Sequence, residues 1–181
     1  MTTLQQLDGT YVVDPAHSRL GFVARHAMVT KVRGSVDEFE GNATTGPGLQ
    51  GASIEITARM ASVDTRNADR DAHLRAGDFF DVDTYPTMTF RSTSVRATGE
   101  DTLAVTGDLT IKDVTRPVTL DVEYAGAAQD PYGNERIGFE GSATILRSEF
   151  GITFNAALET GGVLVSDAIR LELEVSAVKQ A

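Results

Sequence analysis

Three histidines, His17, His26 and His73, are the side chains of this sequence whose ordinary pKa lies nearest neutrality. Such groups serve as acid–base catalysts, metal ligands or polar contacts for a bound molecule. No two of them stand one helical turn apart, and no other metal signature surrounds them. The competing reading is structural: hydrogen-bonded histidines that fix loops. Other reactive chemistry is sparse. The chain has no cysteine, which excludes disulfides, zinc–thiolate centres and thiol catalysis. Gly46, Gly48 and Gly51 sit between strand-like segments with no helix after them, so they make no phosphate loop. No serine has a nucleophile-elbow context. Most carboxylates alternate outward on strands. No catalytic residue, metal or cofactor is assigned.

The stretch Ser62 to Phe90 must position what polar chemistry there is. Strand-like alternation stops at Ser62 and returns near Thr87. Between them lies a helix, with Asn67 capping its start and Gly77 ending it in a left-handed conformation. Ala68, Ala72, Leu74 and Ala76 give it an apolar side, and Asp69, Arg70, Asp71 and Arg75 a charged one. Asp71 and Arg75, four apart, are spaced to pair. Arg70, Asp71, Arg116 and Arg147 read as ties between neighbouring segments, with a polar gate as the alternative for the first two. Phe79, Phe80 and a Tyr85-Pro86 breaker follow. A lone short helix in a strand-rich chain suits a lid or a plug.

The rest alternates with period two. Strands are expected at Tyr11–Asp14, Leu20–His26, Val29–Phe39 and Ser53–Met60. Further ones run from Met88, through Leu103–Ile111, Val114–Tyr124 and Ile137–Ile145, to Ile169–Val175. Lys112-Asp113 forms a tight two-residue connection. Eight or nine strands with one wet and one dry face make an antiparallel sheet, which must close or stack to remove its edges. Periodicity does not choose between barrel and sandwich. Gly34, Ala58, Gly107, Gly141 and Ala143 are small inward candidates, and Phe22, Phe90 and Phe139 are aromatic ones. Either the small positions leave a cavity or the large neighbours fill them.

Composition is that of one folded domain, residues 1–181: 41% hydrophobic and 23% charged, with no linker or repeat. The net charge of −10 argues against nucleic acid or an anionic membrane as the main partner. No apolar run is long enough to span a bilayer. Residues 1–9 lack the basic start and apolar core of an export signal, so a cytoplasmic location is expected.

Several motifs in order resemble the YceI family of lipid- and polyisoprenoid-binding proteins. They are Asp14-Pro15-Ala16-His17-Ser18, Arg25-His26 with Met28 and Lys31-Val32-Arg33-Gly34, and Arg70-Asp71 with His73-Leu74. Asp78-Phe79-Phe80-Asp81, Tyr85-Pro86 with Met88 and Phe90, Gly107 with Leu109-Thr110-Ile111, Thr115-Arg116-Pro117-Val118 and Arg147 with Phe150-Gly151 complete the set. The likeness covers about 11–178. It departs at Asp113, where many relatives carry glycine, and in having no tryptophan.

The resemblance implies an all-β fold: one lipocalin-like antiparallel barrel of about eight strands, with a short helix near its mouth. It implies an apolar tunnel holding an isoprenoid or other long-chain lipid, such as a prenyl quinone, for storage or transport, and it allows a homodimer. Ligand contacts are then expected from inward Phe22, Met88, Phe90, Leu109 and Phe139, and from Leu74, Phe79, Phe80, Tyr85 and Phe154 about the lid. His17, His26 and His73 would meet the head group. A second reading is an enzyme, or an accessory protein of biosynthesis, acting on a small hydrophobic substrate with mouth histidines as acid–base groups. A third is a structural or stress-related protein with a filled barrel.

Overall fold

Pro15 cannot donate to a ladder, and in a computed structural model describing residues 2–181 it ends the first strand as expected. Among the described residues eleven strands form: β1 Gly9–Val13, β2 Arg19–His26, β3 Thr30–Val36, β4 Phe39–Thr45, β5 Ser53–Arg59, β6 Val63–Asp64, β7 Thr87–Ala97, β8 Thr102–Ile111, β9 Val114–Gln129, β10 Glu135–Leu146 and β11 Ala168–Lys179. All pair antiparallel. Eight of them close a ring in the order β1-β4-β5-β7-β8-β9-β10-β11, with Val13 opposite Ala177 sealing it. The all-β, closed, eight-stranded barrel is therefore present.

The first three chain passages do not run straight through. β1 breaks into β2 at residues 14–18, β3 into β4 at Asp37-Glu38, and β5 into β6 at Met60–Ser62. Beyond the breaks, β2 pairs with the first half of β11, β3 with β2, and β6 with β3. The residues flanking the breaks, Val13, Leu20, Val36, Phe39, Ala58 and Met60, pack into a small second core. Polar groups tie the breaks together: Arg59 N–H donates to Glu38 O at 2.8 Å, and Glu38 N–H to Ser62 Oγ at 2.9 Å.

Past the breaks the ladder runs from β11 through β2 and β3 to β6, and β6 has no pairing with β7. Residues 65–86, which leave β6 and return to β7, cover this end. Within them α1 spans Ala68–Arg75, capped by Asn67, whose side chain accepts from Arg70 N–H at 2.9 Å. Gly77 does not end it in the left-handed region. Instead Phe80 N–H and Val82 N–H reach back to the carbonyls of Leu74 and Arg75, and Asp81 takes the positive φ of 47°. The helix also turns a different face inward than its alanines suggest: Asp71 is buried, Leu74 half-buried, and Ala68 and Ala72 exposed.

The opposite end is plugged by the residues before β1. Leu4 and Leu7 are 0% and 2% exposed and belong to the main core, N-terminal to the 11–178 stretch that the motifs cover. Tyr124 Oη pins this plug by donating to Thr2 O at 2.8 Å. β4 was not expected as a separate strand, because Glu40, Gly41, Asn42 and Ala43 carry little strand propensity. No helix among the described residues is long and apolar enough to cross a membrane.

Lys112 and Asp113 form the expected two-residue turn, with φ of 53° and 61°. Left-handed geometry at both positions is that of a type I′ hairpin turn and costs a non-glycine residue about 1 kcal/mol. Asp113→Gly should therefore raise the melting temperature by about 2 °C, read by calorimetry.

Candidate functional site

Inward rows from every wall strand meet in a dry interior. It holds two apolar cavities end to end. The upper one, beneath the lid, measures about 170 Å³ and is lined by Phe22, Leu74, Phe79, Phe80, Met88, Leu109 and their neighbours. The lower one, above the Leu4–Leu7 plug, measures about 120 Å³ and includes Tyr11, Val105, Ile137 and Phe139. They share one wall: Ile56, Phe90, Leu120 and Leu173. The Phe90 ring tip reaches over Gly107, where a Cβ would come within 2.5 Å of its Cζ, and Phe22 covers Gly34 in the same way. Aromatic rings thus occupy the space over those two glycines. The open volume lies along the axis instead, where Gly141 helps line the lower cavity.

The expected contacts divide. Phe22, Leu74, Phe79, Phe80, Met88 and Leu109 line the upper cavity, Phe139 the lower one, and Phe90 both. Tyr85 and Phe154 line neither. Phe154 stands behind Phe79 at a ring distance of 5.4 Å, and His73 packs edge-on against both at 5.0 Å. His73 also meets Asp78 at 2.9 Å, so it braces the lid from outside.

The three histidines do not gather. His17 and His26 bracket β2, about 30 Å apart by strand rise. His26 is at the exposed tip of the β2–β3 hairpin, bridged to Val165. His17 lies on the outer wall, where its Nδ1 meets Asp14 Oδ2 at 2.7 Å. Asp14 also accepts from Arg136 Nη1 at 2.7 Å, and Arg136 Nε donates to Asp130 at 2.8 Å. The Arg136 bond, and next the His17 bond, hold the Asp14 carboxyl down at about 2. Asn134 first, then Arg136, likewise holds Asp130 below the usual carboxylate range. Among the described residues, no group of three or more carboxylates and histidines is arranged to hold a metal ion.

The lid is tied down through Thr65. Asp71, 8% exposed, accepts from Thr65 N–H at 2.9 Å and from its hydroxyl at 2.5 Å. Arg70 donates to the same hydroxyl at 2.7 Å and to Thr65 O at 2.6 Å. Asp71 and Arg75 make no ion pair; the carboxylate is used by Thr65.

Arg147 is the functional candidate whose role spacing did not show. It is 6% exposed and is the one charged residue lining either cavity among the described residues. Nε donates to Ser166 O at 2.8 Å, Nη1 to Ile152 O and Phe154 O at 2.9 Å each, and Nη2 to Val165 O at 3.2 Å. These bonds fold the 151–167 loop over the upper cavity. They use four of the five guanidinium N–H groups. Burial pulls its pKa below the ordinary arginine value, and the charge of Asp167 opposes this. The signal available in the sequence was an arginine at the end of an inward-alternating strand, before a glycine-bearing turn.

A closed antiparallel barrel with an apolar axial cavity and a covering helix defines the lipocalin-like class. Within that class the chain belongs to the YceI-like family, whose domain matches residues 11–177. A UPF0312 protein of Staphylococcus aureus is 40% identical over 165 residues, covering 90% of this chain and 93% of the relative. Among solved structures, BcnA of Burkholderia cenocepacia superposes with a TM-score of 0.79 at 27% identity, covering 91% of this chain and 98% of that one. The Campylobacter jejuni YceI protein gives 0.75 at 31% identity, covering 87% and 90%. A polyisoprenoid binding domain of Saccharophagus degradans gives 0.68 at 17% identity, covering 94% and 98%, and shares the fold.

Two outcomes follow from these ties. Asp14 has a depressed folded pKa, so its contribution to stability is complete above the unfolded value near ~4 and is lost as pH falls through about 2. Urea midpoints of wild type and Arg136→Gln should differ by a constant amount at neutral pH, and the gap should narrow as pH falls from about 4 toward 2, with the share due to Asp130 persisting to lower pH. Asp71→Ala removes the Thr65 clasp. Hydrogen exchange of residues 65–80 should then accelerate at least tenfold, with β8 and β9 amides unchanged.

Proposed function

We propose that this protein binds one long apolar lipid, of the isoprenoid or a similar class, along the barrel axis. The observation that carries the reading is the pair of apolar cavities sharing the Ile56, Phe90, Leu120 and Leu173 wall, with a single charge at one end. The family match and the likeness to the polyisoprenoid binding domain of S. degradans support it.

Magnitudes favour a chain over a compact ligand. Ligand pockets run from about 300 Å³ upward, and neither cavity alone reaches that. A chain threading both would rotate Phe90 and Leu173 aside and use the whole axis. Burying ~15–20 carbons at about 0.8 kcal/mol each gives on the order of 10 kcal/mol gross. Ordering and lost translation remove several kcal/mol, which leaves micromolar binding or better. A single head-group hydrogen bond adds only about 1 kcal/mol. The tail sets affinity, then, and the head sets direction. The remaining donor of Arg147 favours an acceptor there, a carbonyl, carboxylate or phosphate, at the lid end. The enzyme reading finds no histidine in either cavity lining. Storage or carriage of the lipid fits a site without an acid–base pair in its walls.

Native mass spectrometry of the purified protein, with organic extraction and a titration of prenyl quinones of increasing length, tests this. The expected result is one ligand per chain and affinity that rises with tail length. No bound species and no uptake at any length overturns it. Leu173→Phe narrows the shared wall and should weaken a long prenyl tail at least tenfold while sparing a short one.

A further inference from the structure

The β2–β3 hairpin joins the barrel to solvent in an unusual way. Its turn is closed by Val29 N–H donating to His26 O at 3.0 Å, and the two central residues, Ala27 and Met28, have φ of 51° and 61°. That turn type ordinarily takes asparagine and glycine. Here it holds alanine and methionine and presents Met28 and Val29 to solvent, 63% and 75% exposed. Gly162 of the facing loop lies against the Met28 sulfur, and the neighbouring Val163 is 41% exposed. The apex is therefore a small apolar patch that folding alone would not keep outside.

Its charge is opposite to that of the molecule. The chain carries 26 acidic residues and a net charge of −10, yet residues 21–36 contain no aspartate or glutamate. Arg25 and Lys31 stand directly across from each other just below the apex, and Arg33 follows on β3. Glu172 meets both Arg33 at 3.8 Å and Arg170 at 3.2 Å on the wall below, and the facing loop contributes Glu159 and Asp167, the latter bonded to Ser148. Charges on the far walls are screened beyond a Debye length of about 10 Å at 0.1 M salt. The apex thus presents a local positive potential.

The patch also adjoins the cavity. Val165 lines the upper cavity and bridges His26, while Ala27 N–H donates to Leu164 O at 2.7 Å and Ser166 N–H to Arg25 O at 3.0 Å. Arg147, in the cavity wall, holds the carbonyls of Val165 and Ser166.

We propose that this hairpin tip docks on an anionic lipid bilayer. Met28, Val29 and Val163 enter the interfacial layer, and Arg25, Lys31 and Arg33 meet the lipid phosphates. This goes beyond cargo binding: docking needs no molecule in the barrel. It places the lid end, where a tail would enter or leave, against the membrane. Net charge argues otherwise only when averaged over a surface that is not uniform.

Cosedimentation of the cargo-free protein with extruded vesicles tests the docking. Vesicles of phosphatidylcholine mixed with phosphatidylglycerol should retain the protein, phosphatidylcholine alone should not, and added salt should release it. A Met28→Ser plus Val29→Ser variant should bind at least about tenfold more weakly, and Lys31→Gln about fivefold more weakly. Tyr132→Ser, an 89%-exposed residue at the plug end, should bind as wild type does. All three change exposed positions, and melting curves confirm that they fold. Absence of binding to the anionic vesicles overturns the proposal, as does equal weakening by Tyr132→Ser. A protein partner captured by the tip in the absence of vesicle binding overturns it too. Because no cargo is involved, an empty barrel in the extraction experiment leaves this result standing, and the reverse also holds.

Discussion

Three backbone breaks at one level of the wall govern the architecture. Val13 and Leu20, Val36 and Phe39, and Ala58 and Met60 flank these breaks and pack on one another as a separate core. Fully burying a side chain of this kind stabilises by about 1.5–3 kcal/mol. That makes the second core strong enough to bend three strands away from a straight barrel. Below it the ring of eight is complete. Above it β6 has left β7, and a space opens that only a non-strand segment can cover. The lid exists because the wall was bent first. Phe80 and Met88 pack against both cores, so the covering segment is registered on the bend as well as on the main interior.

Polar groups are used mainly where chain segments must be held across that opening. Thr65 is clasped by Asp71 and Arg70, and the 151–167 loop is gathered by Arg147. No buried side-chain nitrogen or oxygen among the described residues lacks a partner. A lone guanidinium in an apolar wall is costly unless its donors are satisfied. Backbone carbonyls do that for all but one. A carboxylate partner would have neutralised the charge and removed its influence on whatever enters. Carbonyls leave it in place, and Asp167 acts on it through its charge without pairing to it.

Much of the fold was legible because one face of each strand is dry. The rows Leu103, Val105, Leu109, Ile111 and Ile137, Phe139, Gly141, Ala143, Ile145 announced themselves by alternation, and Asn67 announced the helix start. Closure into a barrel was not in the alternation; it came with the resemblance. Other features left no periodic trace. β4 pairs at an interior position through Gly41, Asn42 and Ala43, so its ladder rather than its composition makes it a strand. Ala68 and Ala72 pointed outward because the helix is held by hydrogen bonds through Asp71, and an apolar stripe was not what docks it. Gly77 was spared the left-handed region because Phe80 and Val82 supply the capping donors. Within the cavity, the aromatics on strands were foreseeable, whereas Arg147 depends on carbonyls brought in by a loop with no pattern of its own. The histidines drew attention by type, but their placement follows β2, which separates His17 from His26 along its length.

The seam between β1 and β11 has a kinetic side. Tyr11 pairs with Lys179 and Val13 with Ala177, so the first strand of the barrel stays unpaired on that edge until the last one is made. Few contacts are more distant in sequence, and non-local pairing of this kind slows folding. During synthesis β1 must wait, with Tyr11 and Val13 uncovered, while the remaining strands emerge. Its five residues are short for an edge, and Pro15 limits how far a foreign strand can extend along it. Brevity at the seam therefore protects the nascent chain during the interval in which the barrel is still an open sheet.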